Sequence, residues 1–364
     1  MRSEMSRPAF AAALSIARWI GVLGLGVALA ACGTVRPSSG EEFDPVATLT
    51  FCINVHDFFH VGESADTLLR LIDLFERYGV RGDFYLTAPM VHGYAEERPE
   101  VIERLRESGM TISTHVRPPH PAYRGFDALL EGISPAALER VLRDYETYRL
   151  DLATGGLVLD DVGGIACFEA FFEAPPVVAS VPFERWRPAL LPIWSDLGVR
   201  MTVTYHETGT DVEEPFVWRD GLLIRPSDFS ITRWSVRPEQ EPQFWWNMLD
   251  TPLADRYVPV ERLREELDDW SETRAPFVTV LIHENNFTRR AATPWANVYY
   301  SDEKKATPLE PPFDLDAPDA SEPRTAENIE AIWEAYEALI AYASENLRVL
   351  TSAEIVRLAE AAAD

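Results

Sequence analysis

From Thr48 onward the chain alternates short β-branched and aromatic runs with longer segments carrying apolar residues at helical spacing. This alternation restricts the fold more than any other feature of the sequence. TLTFCINV (48–55) reads as a strand, and the helical pattern over 65–80 closes at Gly79. GDFYLTAP (82–89) is a second strand, PEVIERLRESG (99–109) a helix with proline at its start and glycine at its end, and MTISTHV (110–116) a third strand. Then follow a helix over 134–153, a strand within 164–175, a helix over 183–198 and strands over 200–206 and 221–227. A helix over 258–272, a strand over 277–284, a helix over 326–345, a strand over 348–351 and a helix over 352–363 complete the series. Strands separated by helices predict an α/β protein with a parallel sheet, open or closed. The stretch 287–328 is rich in Pro and Asp and has no pattern, as functional or disordered loops do.

The first residues follow different rules. Arg2, Arg7 and Arg18 precede the apolar run WIGVLGLGVALAACG, which is short for a membrane-spanning helix and ends in small residues. Residues 1–31 therefore read as a secretory signal, 32–46 as a Pro, Ser and Gly-containing tether, and 47–364 as a single domain. Leu29–Cys32, LAAC, resembles the lipobox of bacterial lipoproteins, which implies lipidation of Cys32 and a membrane anchor at the cell envelope. With Cys32 removed, Cys52 and Cys167 remain, either as a disulfide or as two buried thiols. The balance of 59 acidic against 33 basic residues, formal net charge −26, disfavours nucleic acid and anionic lipid as partners. Only Lys304 and Lys305 are lysines.

In parallel α/β folds sites lie beyond the C-terminal ends of the strands. The first strand leads into Asn54, His56, Asp57 and His60, and the third into His115, Arg117 and His120. The later segments lead to Glu173, to His206 and Glu207, and to His283, Glu284 and Asn285. Six of the seven histidines thus fall on one expected rim, a distribution that suggests hydrolytic or metal chemistry. His92 has no such place. Trp245 and Trp246 suit a lid or a sugar platform.

The order of elements, the segment YGVRGDFYLT, the pair in THVRPPH and the late LIHE resemble the polysaccharide deacetylase (NodB-homology) family, carbohydrate esterase family 4. The resemblance implies a distorted (β/α)7-type barrel of parallel strands and metal-assisted removal of acetyl groups from a carbohydrate polymer. It aligns His56 with the general base and Asp57 with a metal ligand; a register shifted by two would instead align Asn54 and His56. It implies His115 and His120 as further ligands of a divalent ion, zinc being the best suited, and His283 as the general acid. Where the family has an arginine before its third-motif proline, this chain has Glu173, expected to orient the His56 ring as a carboxylate orients a catalytic imidazole. Arg117 is expected to bind substrate carboxylate or Asp57, or to replace the missing arginine. Two other classes stay open. The departures leave room for an inactive barrel serving as a carbohydrate-binding or envelope-interaction module. A glycoside hydrolase would need two carboxylates facing across the cleft, with Glu173, Glu207 and Glu284 as candidates.

Overall fold

The computed structural model describes residues 48–181, 185–204, 216–226, 260, 278–290, 293–302 and 305–363. Cys32 with the leader and tether, His206, Glu207, Trp245, Trp246 and nearly all of the expected helix over 258–272 lie outside them.

The elements follow in the order β1 (Thr48–Val55), α1 (Val61–Arg77), β2 (Asp83–Leu86), α2 (Ala88–Glu97), α3 (Pro99–Glu107), β3 (Thr111–His115) and α4 (Pro135–Tyr145). A hairpin, β4 (Tyr148–Leu150) and β5 (Leu157–Val162), precedes α5 (Ala166–Phe172), β6 (Ala179–Ser180), α6 (Arg187–Asp196) and β7 (Met201–Thr204). Then come β8 (Val217–Arg219), β9 (Leu222–Pro226) and β10 (Val278–His283), with long helices at Ala326–Asn346 and Ser352–Ala363.

β10, β1, β2, β3 and β6 pair side by side in parallel. A parallel bridge from Val178 to Met201 carries the sheet on to β7, which pairs in parallel with β9. These seven strands run parallel in the order β10, β1, β2, β3, β6, β7 and β9, with helices between most of them, and make the α/β barrel-like fold of the (β/α)7 type that the alternation calls for. The β4–β5 hairpin and the antiparallel β8 are its added parts.

Local sequence explains the elements. α1 buries Leu68, Leu71, Ile72 and Phe75 along one face and ends before Gly79, whose φ of 65° supplies the left-handed turn a side chain resists. Ser134 accepts the Ala137 N–H and Pro135 fills the first helical position, which starts α4. The segment expected as a strand within 164–175 is instead helix α5. Phe168, Phe171 and Phe172 lie at i, i+3 and i+4, so that spacing packs one helical face onto the core, and the strand forms later at Ala179–Ser180. The expected helix over 134–153 ends at Tyr145, where the chain turns into the hairpin.

β1 shows the period of two that decides the site. Leu49, Phe51, Ile53 and Val55 pack with α1 and the helix Ala326–Asn346, through Phe75 and Tyr336. Thr50, Cys52, Asn54 and His56 therefore take the opposite phase and face into the barrel. Cys52 and Cys167 are both buried free thiols, the second of the two alternatives left by the sequence.

Candidate functional site

Strand register brings three histidines together. Asn54 pairs with His283 on one side and Tyr85 on the other, and Tyr85 pairs with Ser113. Asn54 and His283 thus share a level, and His56 and His115, two residues further along their strands, share the next. The rings converge: His56 lies 5.0 Å from His283 and 5.7 Å from His115, centroid to centroid. The Asn54 amide approaches His283 Nε2 at 3.5 Å. Asn54 and His56, the pair of the shifted register, both approach His283.

Asp57 lies two residues beyond the end of β1 and does not line the cavity that His56 faces. Its carboxylate accepts the Phe59 N–H at 3.1 Å. Burial pushes its pKa up to about 6, and the charges that act on it are those of His60, Asp319 and Arg289. Arg289 and His60 both reach Asp319, at 2.8 and 2.6 Å. Asp57 belongs to that cluster.

Glu284 holds the end of β1 in place. Its Oε1 accepts the backbone N–H of both His56 and Asp57 at 2.7 Å each. The side chain is 0% exposed, and burial, then the nearby Asp57, pushes its carboxyl up to about 8. Burial thus favours the neutral carboxyl, and Glu284 acts as a structural clamp on the two backbone donors.

Glu173 is not brought to His56. It ends α5 with a φ of 61°, its side chain is 72% exposed, and it forms an ion pair with Arg106. It lines a surface depression with Arg81, Met110 and Thr111, at the N-terminal ends of β2 and β3, the end of the barrel away from the rim. Its expected role as the orienting partner of His56 is corrected: the helix in place of the expected strand carries it elsewhere. The glycosidase pairing loses the same residue, and Glu284 is occupied by its two N–H donors.

What orients His56 instead is Trp295, 1% exposed, whose indole Nε1 donates to His56 Nδ1 at 3.2 Å. An indole nitrogen can only donate, so the neutral His56 ring carries its proton on Nε2. His120 is held the same way, because its Nδ1 accepts the Ala122 N–H at 3.1 Å. His115 has the opposite tautomer. Its ring is hydrogen-bonded to the Tyr85 backbone in the sense that favours the protonated ring, as donation to a carbonyl does, and its Nε2 is left with a lone pair. The Nε2 atoms of His56, His115 and His120 are buried and have no partner among the described residues. These three rings, Arg117 and Trp295 line one cavity of about 40 Å³, more than the roughly 10–15 Å³ that one water needs.

Arg117 lines this cavity together with the buried carboxyl of Glu146. Burial, followed by the charge of Arg117, holds the pKa of His56 and His115 well below the usual range, and His283 is lowered to about 3 by the same two causes. Burial alone lowers His120 to about 3. Lys305, pulled down to about 8 by burial and then by Arg117, also acts on His56 and His283.

The donor set does not fit the expected zinc ion. Asp57 does not line the cavity, while His56 and His120 present N–H donors to it where a metal requires lone pairs. His115 alone has the right tautomer. Among the described residues no group of three His, Cys, Asp or Glu side chains is arranged to hold a metal ion. Trp295, Lys305 and the clamping role of Glu284 were not foreseen. The signals were present but weak: Glu284 follows His283 at a strand end, and the other two lie in the long unpatterned stretch.

No protein-family profile matches the sequence, and no curated protein matches it. Among solved structures, the chain is similar to a protein from Mycobacterium smegmatis assigned as a polysaccharide deacetylase, at 14% identity and a TM-score of 0.45, over 87% of this chain and 91% of that one. It is similar to an allantoinase at 11% identity and a TM-score of 0.46, over 86% and 90% of the two chains. It is also similar to a CE4-family pseudoenzyme from Bacillus anthracis at 12% identity and a TM-score of 0.38, over 85% and 65%. The fold assignment rests on the strand order itself, and the chemistry of the rim on the residues just described.

Proposed function

We propose that this protein binds a carbohydrate polymer at the rim of its barrel, as a binding or envelope-interaction module built on a deacetylase-type scaffold, and does not act through a metal-bound water. The resemblance carried by YGVRGDFYLT, THVRPPH and LIHE supports the carbohydrate. The observation that carries the reading is the Trp295 indole donating to His56 Nδ1, which turns an expected base into a donor. A donor-lined pocket suits recognition of hydroxyl, carbonyl or carboxylate oxygens.

One observation favours a second reading. The His115 Nε2 lone pair is unpartnered inside the cavity. It could take a proton from a water that adds to an acyl carbonyl, with His56 Nε2–H and Arg117 receiving the charge on the carbonyl oxygen. The proton would then pass to the leaving amine or alcohol, releasing acetate. The two readings separate in one experiment, binding of an N-acetylated oligosaccharide and acetate release, each with and without EDTA. Binding without acetate release, unchanged by EDTA, is the expected result. Acetate release that survives EDTA and disappears in His115→Ala supports the second reading. Release that EDTA abolishes and zinc restores overturns both.

In the same reading the module is held at the bacterial envelope through Cys32, as the Leu29–Cys32 pattern suggests. Cys32→Ser is expected to move the protein from the membrane to the soluble fraction, or to leave the leader uncleaved. A variant that fractionates and migrates like the wild type would show that Cys32 is not the anchor.

A further inference from the structure

We infer that the rim cavity seats the carboxylate of an acidic sugar, held by Arg117 and by the His56 Nε2–H, with the charge of Lys305 acting from beside Trp295. This names the ligand class for the carbohydrate-binding reading and rests on it.

The first observation is a pair of cations without counterions. Arg117 donates to the Val116 carbonyl at 3.2 Å and Lys305 to the Thr293 hydroxyl at 3.1 Å. Neither has a carboxylate partner among the described residues. Elsewhere arginines find carboxylates readily, as Arg98 does with Asp66 and Glu100, and Arg104 with Asp73 and Glu76. Among the described residues, two cations act on the same histidines with no carboxylate paired to either, an arrangement that suits a negative group from outside. Of the described carboxyls nearby, Asp57 does not line the cavity, Glu284 accepts two backbone N–H groups, and Glu146, which does line it, accepts the Trp194 indole N–H at 2.9 Å.

The second observation is the set of unpartnered buried ring atoms on the cavity wall. Unmade hydrogen bonds in a buried site are costly, so they imply a ligand or water that completes them. His56 Nε2 and His120 Nε2 are donors, as a carboxylate requires. His115 Nε2 is an acceptor and requires a donor beside the anion. A sugar acid supplies both, a carboxylate and a neighbouring hydroxyl. The guanidinium of Arg117 matches the planar carboxylate, and its stem emerges directly from the end of β3. Lys305 Nζ lies 5.9 Å from the centre of the Trp295 ring, whose indole N–H anchors His56.

The test is calorimetry of two oligosaccharides of equal length, one of uronic acids and one of neutral N-acetylglucosamine, at matched ionic strength. The uronate is expected to bind at least about tenfold more tightly. That preference should vanish in Arg117→Gln and shrink in Lys305→Gln, with circular dichroism confirming that both variants fold. Equal affinities for the two oligomers in the wild type, or a preference that persists in both variants, would overturn the seat while leaving carbohydrate binding intact. If neither oligomer binds, the carbohydrate reading fails, and glycolate, the smallest ligand with an adjacent carboxylate and hydroxyl, decides the seat. Glycolate binding lost in Arg117→Gln sustains it. No glycolate binding, or tighter binding of inorganic phosphate, rejects it.

Discussion

Replacing Glu284 with alanine lowers the stability of the barrel by about 2–6 kcal/mol in denaturant unfolding at neutral pH, because two buried donors lose their acceptor at about 1–3 kcal/mol each. The donors are the backbone N–H groups of His56 and Asp57, both 2.7 Å from Glu284 Oε1. Glu284→Gln keeps an acceptor at that position and is expected to be far milder. The two variants also differ in their response to pH. Burial raises the Glu284 carboxyl from 4.5 to about 8, so the folded state binds a proton that the unfolded state has released throughout that window. The stability associated with this group is full at low pH and is lost as pH rises toward 8. Asp57, raised to about 6, contributes in the same direction at the lower end. Glu284→Gln should therefore abolish a loss of about 1–3 kcal/mol between pH 6 and pH 8 that the wild type shows. Parallel stability curves for the two proteins over that range would show that Glu284 is ionised when buried, against the account given of the clamp.

Trp295→Phe is expected to give the protein a zinc affinity at least about tenfold higher than that of the wild type, measured by competition with a chromogenic chelator. The reason is the tautomer. In the wild type the indole donates to His56 Nδ1 at 3.2 Å, and the proton must sit on Nε2, where a metal needs a lone pair. Phenylalanine removes the donor and keeps much of the packing, so the proton can move to Nδ1. His56 Nε2 then joins His115 Nε2 as a second nitrogen ligand, from rings 5.7 Å apart. Adding His115→Ala should take the gain away. Some stability is lost from the smaller ring, about 1–3 kcal/mol. Equal zinc affinity in the wild type and Trp295→Phe would mean that the indole does not control the site. One tightly bound zinc in the wild type would mean that the donor set fits a metal after all.

Several features could be read without tertiary information. Alternating β and helical periods call for parallel strands joined by helices, since each amphipathic segment must bury one face. The rim location of His56, His115, His120 and His283 followed from the same argument, because strand ends are where polar residues leave the core.

Other features depended on distance in space. Whether residue 56 or 57 faces the cavity turns on a single step along the chain, and the letters HD suit either. The packing of Phe51, Ile53 and Val55 against helices decided for His56. Glu173 was misplaced because Phe168, Phe171 and Phe172 pack as a helix, where apolar content alone also suits a strand. The His56 tautomer is set by Trp295, 239 residues away, and the loop that carries His56 by Glu284, 228 residues away. Arg117 and Lys305 face the same rings from separate stretches of chain. Periodicity reports which face a residue takes within its own element. Hydrogen-bond partners and counterions across the rim are set by which elements the fold brings together, and only the tertiary structure decides those.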